Sequence, residues 1–175
     1  MAEALDPAVP PEVDQLAHSV LRLACDRHLT LVTAESCTGG LLASLLTDVP
    51  GMSHAFERGF VTYTNGAKHE LLGVPLATLD GPGAVSKACA IAMAEGALAH
   101  SKGDIAVSVT GYAEGGPEQP AGLVHFACAA RGKPTTHRVM LYGDVGRAEV
   151  RIRALETGLG MMHNQMLQSP SAHAA

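Results

Sequence analysis

The stretch Thr33-Ala34-Glu35-Ser36-Cys37-Thr38-Gly39-Gly40 decides how the rest of this chain is organised. It follows a short β-branched run at residues 30–33 and precedes an apolar segment at residues 41–46. This pattern predicts a strand that runs into a helix through a tight turn rich in hydroxyls and glycine. Such turns place small polar side chains and backbone N–H groups at the carboxyl end of a sheet, where α/β folds bind ligands.

Two hydroxyls in this turn, Ser36 and Thr38, are the candidates for chemistry. Gly39 and Gly40 let the backbone approach a ligand closely and expose amides at a helix N-terminus, which suits an anion. A plainer alternative is that Thr38 is the N-cap of the helix and Ser36 a turn residue bonded to its own backbone. The stretch by itself leaves both interpretations open.

Composition indicates a compact globular chain and argues against nucleic-acid binding. The 175 residues suffice for one domain with a sizeable core, and 47% of them are hydrophobic while 17% are charged. The net charge of −5 offers no basic face for a nucleic acid, and the absence of Trp leaves few stacking platforms for bases.

The cysteines and the N-terminus predict a cytoplasmic protein without metal or membrane span. Cys25, Cys37, Cys89 and Cys128 are widely spaced and form no C-x-x-C pair, so neither a zinc site nor a disulfide framework is indicated. The chain begins without the basic and apolar regions of a signal peptide, and no apolar run approaches membrane length.

Hydrophobic patterning predicts a single three-layer α/β/α domain with a mixed, mostly parallel sheet. The most continuously apolar strands, at 30–34 and 104–110, are expected at its centre. Two further strands around the turn at 131–134 are expected to form an antiparallel hairpin. We expect the domain to span 11–167, between a flexible arm at 1–10 and a frayed tail at 168–175.

A second candidate segment lies at 59–68, where a strand ending near Tyr63 precedes a short helix that carries Lys68. A desolvated lysine, or a tyrosine relay, can accept the proton of a serine and make it nucleophilic. The alternative, which spacing alone favours, is a solvated Lys68 and a Tyr63 ring packed on the core. The strand at 104–110 ends in a similar hydroxyl–glycine edge, Thr110-Gly111.

We expect Ser86 to be the N-cap of a long helix. This helix has a face of small residues, which permits close packing on a sheet or on a second copy of the chain. This face permits a dimer without requiring one, and a homo-dimer or a higher homo-oligomer is our expectation.

Together these segments resemble the C-terminal domain family of CinA, known as nicotinamide-nucleotide amidohydrolases. The resemblance follows the order of the chain from the first helix to the last, and it rests on four segments: 33–40, 58–65 with Lys68, 83–86, and 108–111. It implies hydrolysis of the carboxamide of nicotinamide mononucleotide to nicotinic acid mononucleotide and ammonia, without cofactor or metal. A pyridine nucleotide is thus the expected partner, and the chain looks like the stand-alone form of the family.

The resemblance also implies roles for particular residues. Ser36 matches the nucleophile, Tyr63 and Lys68 match the residues that activate it, and Thr110 matches a further active-site hydroxyl. The amides around Thr38, Gly39 and Gly40 are plausible donors to an oxyanion or a phosphate. Gly111 lies at the second hydroxyl–glycine edge, and Arg147 or Arg151 is expected to pair with the phosphate.

One loop departs from the family pattern. In residues 112–120, Glu114 stands where a glycine is expected and Gln119 replaces a lysine. A second departure lies further along the chain, where Val145-Gly146 is inserted before Arg147. Glu114 and Glu118 bring negative charge towards an anionic ligand, which predicts weaker binding of the mononucleotide or a preference for a less anionic pyridine amide. A non-catalytic paralogue that serves as a binding or assembly module is the second class of function.

Overall fold

The computed structural model describes residues 9–168. This range excludes residues 1–8 of the arm expected at 1–10 and residues 169–175 of the tail expected at 168–175. Within it the chain forms six α-helices, one short 3₁₀ turn and five strands. In chain order these are α1 Pro11–Arg27, β1 Leu31–Glu35, α2 Leu41–Thr47, the 3₁₀ turn Ser53–Ala55, β2 Phe56–Val61, α3 Asn65–Leu72, α4 Leu76–Asp80, α5 Lys87–Ala99, β3 Ile105–Gly111, β4 Leu123–Ala130, β5 Thr136–Leu141 and α6 Arg147–Gln168.

The sheet is mixed and has the strand order β2-β1-β3-β4-β5. β1 pairs in parallel with both β2 and β3, whereas β4 is antiparallel to β3 and to β5. Four of the five strands in the described range therefore run in one direction, and β4 opposes them. The prediction that the two most apolar strands, β1 and β3, are central is confirmed, because each has a neighbour on both sides.

Helices cover both faces of the sheet and produce the predicted three layers. One core cluster joins α1, α2 and α6 to side chains such as Leu31, Val107 and Phe126, all almost fully buried. The second joins α3, α4 and α5 to the opposite face through Val32, Ala106 and other small residues. Alternate residues of each central strand thus point to different cores, which explains why these strands are mostly apolar and lack a solvent-facing polar side.

The small-residue face of α5 packs inside the domain. Ala90, Ala94 and Ala97 are fully buried in the second core, and an ideal Cβ at Gly96 would lie 1.9 Å from the carbonyl oxygen of Leu72 on α3. The feature that suggested a homo-oligomer is therefore used within one chain, and the oligomeric state stays a prediction. No helix in residues 9–168 is long and apolar enough to cross a membrane.

Local differences from the predicted elements are small. β2 begins at Phe56 and ends at Val61, so Tyr63 follows the strand instead of closing it. The short helix α4 and the 3₁₀ turn before β2 were not predicted, because five and three residues are too few for a periodic pattern. Ser86 caps α5 as expected, and its hydroxyl accepts from the amide of Cys89 at 3.1 Å.

Candidate active site

The carboxyl ends of the three parallel strands β1, β2 and β3 meet at one edge of the sheet and surround a cavity of about 250 Å³. Each of the segments that follow these strands contributes to its wall, as expected for a ligand site of an α/β sheet. The lining residues are Ser36, Cys37, Tyr63, Lys68, Ala84, Val85, Thr110, Gly111, Tyr112, Ala113, Glu114, Gln119 and Arg147.

Lys68 and Ser36 form a buried pair at the inner end of this cavity. Lys68 Nζ lies 2.9 Å from Ser36 Oγ and donates a 2.8 Å hydrogen bond to the carbonyl oxygen of Thr62. The exposed fractions of Lys68 and Ser36 are 1% and 8%, so the alternative of a solvated lysine is wrong. Burial lowers the pKa of Lys68, because a desolvated ammonium is less stable than the neutral amine.

Local structure fixes where the Lys68 side chain emerges. Thr64 is the N-cap of α3, and its side chain accepts from the amide of Ala67 at 3.1 Å, which sets the first turn of the helix. The amide of Thr62 donates to the carbonyl of Glu35 at 2.8 Å and joins the end of β2 to the end of β1. The lysine is therefore held against the serine from both adjacent strand ends.

The turn that carries Ser36 is stabilised by Glu35, a residue that sequence analysis missed. The fully buried carboxylate of Glu35 accepts from the amides of Gly40, Leu42 and Ala43 at 3.2, 3.0 and 2.8 Å. It caps α2 from the preceding strand, whereas the N-cap residue itself is Gly40, so the alternative of Thr38 as N-cap is wrong. The sequence did contain a signal for this role, because Glu35 closely precedes a helix that has no Ser, Thr, Asp or Asn at its N-cap.

Gly39 and Gly40 shape the turn and do not line the cavity. Both have positive φ, at 61° and 97°, a region that other residues rarely adopt. The amide of Gly39 donates to the carbonyl of Ser36 at 3.0 Å, and the amide of Gly40 donates to the carboxylate of Glu35. These two amides thus have acceptors within the chain instead of facing a ligand.

Arg151 holds the same turn from α6. Its Nη2 donates to the carbonyl oxygen of Thr38 at 2.9 Å, and an ideal Cβ at Gly39 would lie 3.3 Å from that nitrogen. Thr38 is fully buried, and neither residue is part of the cavity lining. The structure therefore places Thr38 and Arg151 behind the nucleophile turn, and only Arg147 of the two predicted arginines at the cavity.

Arg147 lies at the mouth of the cavity and pairs with Glu114. Its guanidinium forms a bidentate ion pair with Glu114, with distances of 3.0 Å from Nε and 3.1 Å from Nη2. The hydrogen bonds and the charge of Glu114 raise the pKa of Arg147. Tyr63 is 65% exposed, so its ring does not pack on the core, and it lines the same cavity.

Thr110 and Gly111 form the opposite wall. The Thr110 hydroxyl donates to the carbonyl of Ala84 at 2.7 Å and ties β3 to the segment before α5. A Cβ at Gly111 would lie 2.6 Å from the carbonyl oxygen of Leu123, so only glycine fits against β4 here.

Cys37 also lines the cavity beside Ser36, but it is a poor nucleophile. Burial raises the pKa of its thiol to about 11, and the reactive thiolate is therefore scarce at neutral pH. All four cysteines, each within residues 9–168, are free. No group of three or more His, Cys, Asp or Glu side chains in that range is placed to hold a metal ion.

Comparisons with known proteins identify the family of this chain. A model of the CinA C-terminal domain family matches residues 13–166. The chain is 45% identical over 162 residues to the nicotinamide-nucleotide amidohydrolase PncC of Escherichia coli K12, covering 90% of this chain and 97% of that protein. It is 48% identical over 166 residues to a relative from Symbiobacterium thermophilum, of whose length it spans 38%.

A solved structure shows the same fold. The crystal structure of the competence/damage inducible protein CihA from Agrobacterium tumefaciens superposes with a TM-score of 0.87 at 45% sequence identity, covering 91% of this chain and 98% of that one. The chain therefore belongs to the CinA C-terminal domain family.

Proposed function

We propose that this protein hydrolyses the carboxamide of nicotinamide mononucleotide to nicotinic acid mononucleotide and ammonia. The observation that carries the proposal is the 2.9 Å contact between Lys68 Nζ and Ser36 Oγ at the inner end of the cavity. A serine beside a desolvated lysine is a nucleophile–base pair suited to acyl transfer. The relative in Escherichia coli bears the name of this activity.

In the proposed mechanism neutral Lys68 accepts the proton of Ser36 as its oxygen attacks the carboxamide carbon. The tetrahedral intermediate collapses when the C–N bond breaks, and the protonated lysine gives its proton to the departing nitrogen, which leaves as ammonia. Water, deprotonated by the same lysine, then attacks the ester on Ser36 and releases the carboxylic acid. The amide of Cys37, in the same turn as the nucleophile, is the proposed donor to the oxyanion.

The remaining residues receive roles in binding and support. We assign Arg147 to the substrate phosphate, because it is the arginine that lines the cavity and a guanidinium binds phosphate bidentately. Tyr63 lines the same cavity and is assigned to substrate binding. Thr110 and Gly111 form the wall along which the nucleoside lies. Thr38, Gly39, Gly40 and Arg151 support the turn instead of contacting substrate.

The alternative is a non-catalytic member of the family that acts as a binding or assembly module. The intact contact between Ser36 and Lys68 speaks against it, since burying a lysine is costly and a module without catalysis gains nothing from that cost. An amidohydrolase for a less anionic pyridine amide is the closer competitor.

The direct test is to incubate pure protein with nicotinamide mononucleotide and measure ammonia and the acid product. Ser36→Ala is expected to abolish product while leaving the unfolding midpoint nearly unchanged, because a turn hydroxyl contributes little to the core. Ser44→Ala, which alters an exposed serine on α2, serves as the matched control and is expected to retain full activity. Product formation by the Ser36→Ala protein at the wild-type rate would refute the proposed nucleophile.

A cytoplasmic location and a homo-oligomeric state are also proposed, on the sequence arguments given above. Light scattering at several protein concentrations measures the assembly directly. A monomer at all concentrations would refute the oligomer.

A further inference from the structure

At the cavity mouth, Glu114 forms an ion pair with Arg147, the arginine that we assign to the substrate phosphate. Glu114 and Arg147 both line the cavity, and their side chains are 58% and 48% exposed. Both carboxylate oxygens of Glu114 face the guanidinium, at 3.0 and 3.1 Å. This is the fork-to-fork geometry by which an arginine binds either a carboxylate or two oxygens of a phosphate.

We propose that Glu114 is a specificity-determining residue, an internal anion that fills the phosphate position of Arg147 in the empty site and must be displaced when a phosphorylated substrate binds. This inference rests on the proposed function, since it takes Arg147 as the contact of the phosphate. A substrate without a phosphate leaves the ion pair intact and does not meet this competition. Glu114 thus sets the discrimination between nicotinamide mononucleotide and its riboside.

The loop geometry distinguishes Glu114 from the second acidic residue, Glu118. Reciprocal backbone hydrogen bonds of 3.1 and 3.0 Å between Gly116 and Gln119 close a tight turn, and Glu118 sits at its corner with a φ of 62°. Glu118 is exposed and does not line the cavity, whereas Glu114 precedes the turn and reaches Arg147. Sequence alone gave both carboxylates the same unfavourable effect on phosphate; the structure assigns it to one.

Charge decides the direction of the exchange. A phosphate monoester carries close to two negative charges at neutral pH, whereas a carboxylate carries one. The substrate phosphate is therefore expected to displace the Glu114 carboxylate from the Arg147 guanidinium. An exposed ion pair is weak, and the competition is therefore expected to reduce phosphate affinity by about three- to tenfold without preventing binding.

The first test measures binding without catalysis. Inorganic phosphate is titrated by calorimetry into the natural protein, Glu114→Gln, Glu118→Gln and Arg147→Gln. Nicotinamide mononucleotide is titrated into the same four proteins with Ser36→Ala added, so that the ligand is not hydrolysed. Glu114→Gln is expected to tighten both ligands by about three- to tenfold, while Glu118→Gln, with the same loss of charge in the same loop, changes them less than twofold. In the Arg147→Gln background, Glu114→Gln is expected to have no further effect, because the competition needs the arginine.

The second test is kinetic. Glu114→Gln is expected to raise the ratio of kcat/KM for the mononucleotide to that for the riboside by a similar factor, through KM. Equal effects of Glu114→Gln and Glu118→Gln would mean that only net charge matters, and weaker phosphate binding by Glu114→Gln would mean that Glu114 orients Arg147 for the ligand. Either result, or the absence of phosphate binding to every variant, overturns the proposal.

The two hypotheses fail separately. If no variant releases ammonia from any pyridine amide, the proposed function is wrong, and the calorimetric titrations still decide whether Glu114 competes for Arg147. If ammonia is released but the titrations show no competition, the proposed hydrolase activity is supported and the proposed role of Glu114 is wrong.

Discussion

Arg151, on the long C-terminal helix, donates a 2.9 Å hydrogen bond to the carbonyl oxygen of Thr38 in the turn that carries the candidate nucleophile. The two residues are far apart in the chain, and the contact joins α6 to the end of β1. Thr38 is fully buried and Gly39 lies directly against the guanidinium. The position of Ser36 therefore depends on a helix that contributes only Arg147 to the cavity lining.

This contact predicts that Arg151 is a positioning residue. Arg151→Met is expected to lower kcat by about ten- to a hundredfold, since a small displacement of the nucleophile is costly, with a smaller change in KM. Arg153→Gln, which removes a partly exposed arginine of the same helix that pairs with Glu149, is the control. A rise in KM for the mononucleotide but not for the riboside would instead make Arg151 a phosphate ligand, as the sequence suggested.

The buried Lys68 predicts a conflict between stability and activity. Lys68→Met keeps the volume of the side chain and removes a desolvated amine, so its free energy of unfolding is expected to equal or exceed that of the natural protein. Lys68→Ala leaves a cavity and is expected to be less stable than Lys68→Met by about 2 kcal/mol. Both variants are expected to lose activity. Urea unfolding measures the difference, and a less stable Lys68→Met would show that the amine stabilises the fold.

The lowered pKa of Lys68 predicts the pH dependence of the reaction. The base must be neutral, so kcat/KM is expected to rise with pH and to reach a plateau above the pKa of Lys68, which lies below the ordinary value of 10.5. The unfolded chain binds this proton more readily than the folded one. The contribution of Lys68 to stability is therefore complete above pH 10.5 and is lost as pH falls through the lowered pKa.

Initial rates across pH at low substrate concentration test the profile, and unfolding of Lys68→Met over the same range tests the linkage. The variant is expected to show a shallower loss of stability towards acidic pH. A rate that falls as pH rises from neutral would contradict the assignment of Lys68 as the base.

Two helix glycines predict opposite effects of the same substitution. Gly96→Ala on α5 places a Cβ 1.9 Å from the carbonyl oxygen of Leu72, a backbone atom that cannot move without shifting α3, and is expected to destabilise by about 1–3 kcal/mol. Gly160→Ala on α6 meets no atom within 4 Å and is expected to stabilise by about 0.5–1 kcal/mol, since alanine favours a helix. Denaturant midpoints compare them. Equal shifts in one direction would show that the packing of α5 on α3 is looser than described.

Local sequence patterns determined the fold and the position of the candidate nucleophile. Continuous apolar runs identified β1 and β3 as central strands, because a strand buried on both faces has no polar alternation. A serine just before the helical pattern predicted that Ser86 caps α5, and the Ser86 hydroxyl does accept from the amide of Cys89. The turn after β1 was predicted from its glycines, since a residue without a Cβ adopts positive φ at no steric cost.

The tertiary structure decided what surrounds Ser36. The burial of Lys68, the use of Arg151 behind the turn and the pairing of Arg147 with Glu114 are contacts between side chains on different elements. Periodicity and composition describe one segment at a time and carry no distance between segments. Spacing alone thus favoured a solvated Lys68 and gave Glu114 and Glu118 the same role. Only the packing of α3 and α6 around the ends of β1 and β3 separated these possibilities, because burial and distance set the charge state and the partner of each group.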